Sequence, residues 1–156
     1  MAAKKKPLKR TKAPVITNRR ASYDYALGDE IVAGLSLTGN EVRAARTGRV
    51  QLKGAFVSIR NDELWLNNAS FSLTLNTKGE SETTVDTSPR KLLAHRKQIE
   101  ILKEKKQSGL TIVPLKLLTA GKYIKVVIAT GKGKKNYDKR QSIKQRDQMR
   151  DAAKLR

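Results

Sequence analysis

Residues 110–130 read LTIVPLKLLTAGKYIKVVIAT. Two runs of aliphatic and β-branched residues flank Thr119-Ala120-Gly121, a break that suits a turn between paired strands. In the second run Ile124, Val126 and Ile128 alternate with Tyr123, Lys125 and Val127, the period of a half-buried strand. Pro114 lies inside the first run. A strand proline has no N–H for the ladder, so it marks an edge or a bulge. The same pattern recurs upstream. AFVSIR and ELWL flank Asn61-Asp62, and YDYAL and EIVAGLSL flank Gly28-Asp29, both dipeptides suited to tight hairpins. Hairpins of short strands predict a mainly β fold, a small antiparallel barrel or sandwich.

Helical signals interrupt the strands. In LTGNEVRAARTG (37–48), Thr38 is an N-cap with Glu41 three residues on, a capping box, and Leu37 and Val42 can staple it. Gly48 is the natural stop. In SPRKLLAHRKQIEILKEKKQSG (88–109), Ser88 caps, Pro89 takes the first helical position and Gly109 ends the helix. Leu92, Ile99 and Leu102 fall on its apolar face, and His95 lies near that face, where a partly buried structural histidine, or one capping the core edge, is expected over a ligand contact. Between the second hairpin and this helix, SFSLTLNTKGESETTVDT (70–87) reads mostly as loop, with FSLTL a possible short strand. Trp65 points to the face opposite Leu64 and Leu66. It is either core or a stacking platform, and with 4% aromatics in the chain the core is the expected place.

Charge locates the tails. The chain has 156 residues, one domain's length, and a net charge of +20. Residues 1–14 hold six Lys or Arg and no acid, and residues 131–156 hold ten against three Asp. Forty residues thus carry most of the excess. The first segment reads as disordered until bound, the last as a basic tail, and residues 15–130 as the folded body. In the tail Asp138 and Gln141 resemble another capping box. Yet Lys135, Lys139, Arg146, Arg150 and Lys154 repeat at or near four-residue spacing, and like charges so placed oppose a helix. The tail should be labile alone and turn helical where anions neutralise it.

Such a charge calls for a polyanion. No run is long enough for a spanning helix, and the basic segments lack a bulky apolar face, so nucleic acid is favoured over membrane. No apolar h-region follows the basic N-terminus, so no secretory signal is expected and the cytoplasm is the default address. There are no cysteines and one histidine, no GxxxxGK[ST] and no GxGxxG. No metal site, cofactor or catalytic constellation is expected, and the protein is not read as an enzyme. The positive signal is a set of basic clusters: Asn18-Arg19-Arg20; Arg43, Arg46, Arg49 and Lys53; Arg90-Lys91 with Arg96-Lys97; and Lys132, Lys134, Lys135, Lys139 and Arg140. Few aromatics argue against broad base stacking and for phosphate contact and shape recognition of folded RNA.

ITNRRASYDY (16–25), residues 37–68, SPRKLLAHRKQI (88–99), GLTIVPLKLL (109–118) and GKGKKNYDKRQSIKQRD (131–147) together resemble the SmpB family, the SsrA-binding proteins of bacterial trans-translation. The resemblance implies an OB-fold-like antiparallel β-barrel with two to three added helices and basic flexible tails. It implies binding to the tRNA-like domain of tmRNA and delivery to stalled ribosomes. Partners would be tmRNA, ribosomal 16S and 23S RNA, and elongation factor Tu through the tmRNA complex, with the protein monomeric. Asn18, Arg19 and Arg20 match the family's N-R-K segment near the RNA. Glu41 matches the Glu of its L-T-G-T-E-V-K motif, associated with contact to the tRNA-like domain, a role that stands beside its capping one, and Lys91 and His95 match R-K-L-L-L-H. Arg43, Lys53, Lys132, Lys134 and Lys135 complete the RNA-binding set. Tyr137, Asp138, Lys139 and Arg140, followed by Lys144, Arg146 and Arg150, fall in the tail associated with the decoding centre and the empty mRNA path. The chain departs from the pattern at Asn40, at Ala44-Ala45, and over Ala69–Thr74, where a His and a Pro-Tyr are missing. The alternative is another basic OB-type RNA binder, such as a ribosomal protein.

Overall fold

The computed structural model describes residues 13–77 and 79–155, so most of the N-terminal basic segment lies outside the described residues. In chain order the elements are β1 (Val15–Thr17), α1 (Arg19–Asp24), β2 (Tyr25–Leu35), α2 (Gly39–Arg46), β3 (Val50–Gln51), β4 (Phe56–Arg60), β5 (Glu63–Asn67), β6 (Ser70–Thr77), β7 (Glu80–Asp86), β8 (Arg90–Leu93), α3 (Arg96–Gln107), β9 (Thr111–Leu118), β10 (Lys125–Gly133) and α4 (Asn136–Lys154).

Seven strands form an antiparallel sheet ordered β1-β9-β10-β2-β8-β5-β4. It curls until β4 meets β9 again through one bridge, Val57 to Ile112. One side of β9 therefore serves two strands: β1 opposite residues 116–118 and β4 opposite Ile112. Pro114 sits between them. The register against β10 jumps there, from Val127–Lys116 to Ile128–Pro114, leaving Leu115 as the extra residue of a bulge. The proline thus marks a bulge in a strand paired on both sides.

Leu64, Leu66, Leu92, Ile112, Leu117, Val126 and Ile128 fill the barrel, and Leu102 of α3 enters the same core. The period-two reading of β10 was half right. Val127 and Ala129 face the other way, but Ala21 of α1 covers them together with Val113 and Leu115. Both faces of the strand are dry. Gly131 is needed where β10 passes β2, because a Cβ there would lie 2.9 Å from Tyr25 Cβ.

Several expectations held. Asn61 and Asp62 both have positive φ, 50° and 58°, the geometry of a type I′ turn between β4 and β5. The Thr38–Glu41 capping box is formed in both directions, and Gly48 follows α2 with φ 76°.

Others did not hold. Gly28-Asp29 is not a turn: β2 continues through it as a bulge, where the register against β10 shifts from Glu30–Ala129 to Leu27–Gly131 and leaves the two residues opposite Thr130 alone. The predicted helix from Ser88 splits. Arg90–Leu93 is β8, paired with β5 through Leu64–Leu92 and with β2 through Leu35–Leu92, and the helix starts only after His95. Residues 70–87 are mostly strand: β6 and β7 pair throughout, and β3 joins β6 to make a second, three-stranded sheet. Trp65 is half-buried on the outer face, outside the barrel core. Four of the departure residues, Ala44, Ala45, Ala69 and Phe71, are buried where α2 lies on β6, whereas Asn40 is exposed. At the end of the body, β10 continues to Gly133, past residue 130. The basic tail forms one 19-residue helix, α4. Lys135 is its N-cap, without a side-chain capping bond. Asp138 lies in the first turn, where its charge suits the positive end of the helix dipole.

Candidate nucleic-acid interface

Asn18 anchors the site. It ends β1 and precedes α1, and its backbone N–H donates to Leu115 O at 2.7 Å while Nδ2 donates to Pro114 O at 3.0 Å. Both carbonyls lie at the bulge of β9. Asn18 is therefore a buried pin, and Arg19 and Arg20 follow it into solvent on a fixed backbone.

Arg19 and Arg20 line a cleft of about 630 Å³ with Tyr23, Lys53 after β3, and Arg146 of α4. Among the described residues, no carboxylate pairs with Arg19, Lys53 or Arg146, whereas Arg20 Nε lies 3.2 Å from Asp24 Oδ2. The root of α4 is tied alongside. Lys134 N–H donates to Asp24 O at 2.8 Å and Lys134 Nζ to Ser22 O at 3.0 Å. Lys139 Nζ lies 3.3 Å from Asp24 Oδ1, and the Tyr23 ring has Lys139 Nζ 5.7 Å and Arg20 Cζ 5.8 Å from its centre. One carboxylate and one ring thus join the tail to the Asn18-Arg19-Arg20 segment.

The other expected residues lie apart from this cleft. Arg43 is exposed on α2 and lines a hollow of about 220 Å³ with Arg49, whose Nη1 donates to Thr74 Oγ1 at 2.9 Å. Lys91 Nζ lies 2.6 Å from Glu63 Oε1. His95 is exposed, not partly buried, because it is the N-cap of α3 rather than part of its apolar face. Its backbone N–H donates to Gln98 Oε1 at 3.2 Å. Lys132 and Lys135 are exposed at the end of β10 and the start of α4, and Tyr137, Arg140, Lys144 and Arg150 are exposed along the helix.

Glu41 is buried. Oε2 accepts from Thr38 N–H at 2.9 Å, and Oε1 accepts from Arg90 Nε at 2.9 Å with Arg90 Nη2 equally close. Arg90 stacks 3.9 Å from the centre of the Phe71 ring, and its Nη1 donates to Ser88 O at 2.6 Å. Both carboxylate oxygens have protein partners. Near this pair, the Asp86 carboxyl is held below the usual carboxylate range, first by hydrogen bonds from the Ser88 hydroxyl and backbone N–H, then by the Arg90 charge. The Asp29 carboxyl is lowered by the Lys105 ammonium that contacts it.

Sequence reasoning missed Arg90 as the partner of Glu41 and Asp24 as the link to the tail. No local signal marks a pair 49 residues apart. For Asp24 the signal was present, as a lone acid inside a basic stretch, but it reads equally as a solvated charge.

A sequence model of the SmpB protein family matches residues 15–156. The chain belongs to the SmpB protein family. An SsrA-binding protein of Streptococcus pneumoniae (strain ATCC BAA-255 / R6) is 40% identical over 142 residues, 90% of each chain. One of Streptococcus sanguinis (strain SK36) is 42% identical over 140 residues, 89% of each. A solved structure described as "tmRNA-SmpB: a journey to the center of the bacterial ribosome" superposes with a TM-score of 0.61 at 36% identity, covering 80% of this chain and 87% of that one. The OB-like, mainly antiparallel architecture is thus the family's. No described helix is long and apolar enough to cross a membrane.

Proposed function

We propose that this protein binds the tRNA-like domain of tmRNA and carries it to stalled ribosomes, acting in trans-translation as an RNA-binding factor. Membership of the SmpB family over residues 15–156 carries this reading. The relatives at 40% and 42% identity are named SsrA-binding proteins, and the superposed structure is a tmRNA–SmpB–ribosome complex. The chain's own residues supply the chemistry. Arg19, Arg20, Lys53 and Arg146 present cations on one cleft, suited to phosphates held in a fixed arrangement. The exposed cations of α4 form a longer phosphate-facing surface, suited to ribosomal RNA in the vacant mRNA path.

The division of labour belongs to this reading. Residues 15–130 dock the tRNA-like domain through Arg19, Arg20, Arg43, Lys53, Lys91 and His95, with Asn18 fixing the backbone from which the two arginines project. The basic tail, with Tyr137 able to stack on a base, engages the decoding site. Glu41 acts by holding Arg90 and capping α2, not by meeting RNA directly. The protein works as a cytoplasmic monomer without catalysis of its own, and meets elongation factor Tu through the tmRNA complex.

Sequencing the RNA that copurifies with tagged protein tests this. A single abundant tmRNA is expected. Bulk ribosomal RNA in stoichiometric subunits would point instead to a ribosomal protein.

A further inference from the structure

The cleft between β1–α1, β3 and α4 sets cations of the body against a cation of the tail. Arg19 and Lys53 belong to the body, Arg146 to α4, eleven residues beyond the N-cap Lys135. Among the described residues, none of the three has a carboxylate partner, and no acidic side chain lines the cleft. Asp24 sits at the root of α4, where it is occupied by Arg20 and Lys139. The docked position of the helix is thus favoured at its root and opposed electrostatically further along. At moderate ionic strength, charges within a Debye length of about 8–10 Å still repel.

We infer that a phosphodiester segment of the bound RNA occupies this cleft and bridges Arg19 and Lys53 to Arg146, so that RNA binding to the body fixes the direction of α4. This rests on the RNA-binding reading above and deepens it: body and tail are coupled through a shared anion rather than acting as independent modules. A phosphate between guanidinium and ammonium groups converts the repulsion into charge-assisted hydrogen bonds. The cleft has room for it, since about 630 Å³ lies within the range of sites that hold small ligands. The coupling is reciprocal, so a tail held against the body also tightens the body's grip on the RNA.

The full chain has no cysteine, so Gln107→Cys at the end of α3 and Ala152→Cys near the end of α4 supply two spin labels at exposed positions. The distance distribution between them is measured alone, with a transcript of the tRNA-like domain, and with inorganic pyrophosphate. The transcript is expected to narrow the distribution, and Arg146→Glu in the labelled chain to abolish the narrowing. In unlabelled protein, Arg146→Ala is expected to reduce the slope of log affinity against log salt by about 0.7–0.9, one phosphate's share. If the transcript binds but leaves the distribution broad, or narrows the Arg146→Glu chain equally, the coupling is overturned. Narrowing by pyrophosphate equal to that by the transcript overturns the assignment to a nucleic-acid strand. A chain that does not bind the transcript at all overturns the functional reading itself, a distinct result.

Discussion

The Glu41 carboxylate and the Arg90 guanidinium, 49 residues apart in the chain, meet at 2.9 Å with the Arg90 side chain only 3% exposed. Each is further held: Glu41 by the Thr38 N–H, Arg90 by the Phe71 ring and the Ser88 carbonyl. The pair ties α2 to β8. Removing Glu41 leaves the buried Arg90 with only the longer contact to Asp86 Oδ2 at 3.4 Å, so Glu41→Ala should cost about 3 kcal/mol in urea unfolding, the lower end for a broken buried pair. Replacing both with Met should cost much less. The RNA affinity of whatever Glu41→Gln protein remains folded should stay near that of the parent, because Glu41 acts through the fold.

Leu102 is the side chain by which α3 enters the barrel core, and it is 1% exposed. Leu102→Ala should destabilise by about 2–5 kcal/mol, the span set by how far the barrel end can collapse onto the space. Thermal melts of the two proteins measure it.

Asp86 makes stability depend on acid. Its folded-state carboxyl is held below the unfolded value of 3.8 by Ser88 and Arg90. The contribution is therefore fully present above that value and is lost as the pH falls through the folded one. Asp86→Asn should lower the urea midpoint at pH 7, and the gap from the parent should narrow as the pH is taken below about 4. A gap that is constant with pH would rule out the Asp86 carboxylate as the source of the acid dependence.

RNA affinity should depend steeply on salt. If about six phosphates are engaged, it should fall on the order of a thousandfold between 50 and 200 mM. Fluorescence anisotropy with a labelled transcript gives the slope directly. Deleting residues 136–156 should keep specific binding, lower the slope by the tail's share, and stop tagging of stalled chains.

Much of the fold was legible where local chemistry and tertiary pairing agree. The Thr38–Glu41 box and the Asn61-Asp62 turn are complete within a few residues, so sequence alone locates them. Ser88-Pro89 carried a correct local helix signal that pairing overrode. Leu92 fits between Leu64 and Leu35 only in extended backbone, and the same extension places Arg90 on Glu41. Gly28-Asp29 resembled a turn because the dipeptide permits one, but β10 holds it in a strand. Residues 70–87 looked too polar for a sheet. Most of β7 is exposed, so the hydrophobic alternation that marks a strand has little to bury. At the site, Asn18, Arg19, Arg20 and Lys53 were readable as basic clusters or through the family resemblance. Their meeting with Arg146 was not, since it depends on the direction in which α4 leaves β10.

This basic body is predicted to recognise one folded RNA rather than any polyanion. The direct measurement is its affinity, near 150 mM salt, for a transcript of the tRNA-like domain of tmRNA against duplex DNA of equal charge. Tighter binding to the transcript by at least an order of magnitude is the predicted result. Equal affinity for the two would contradict it.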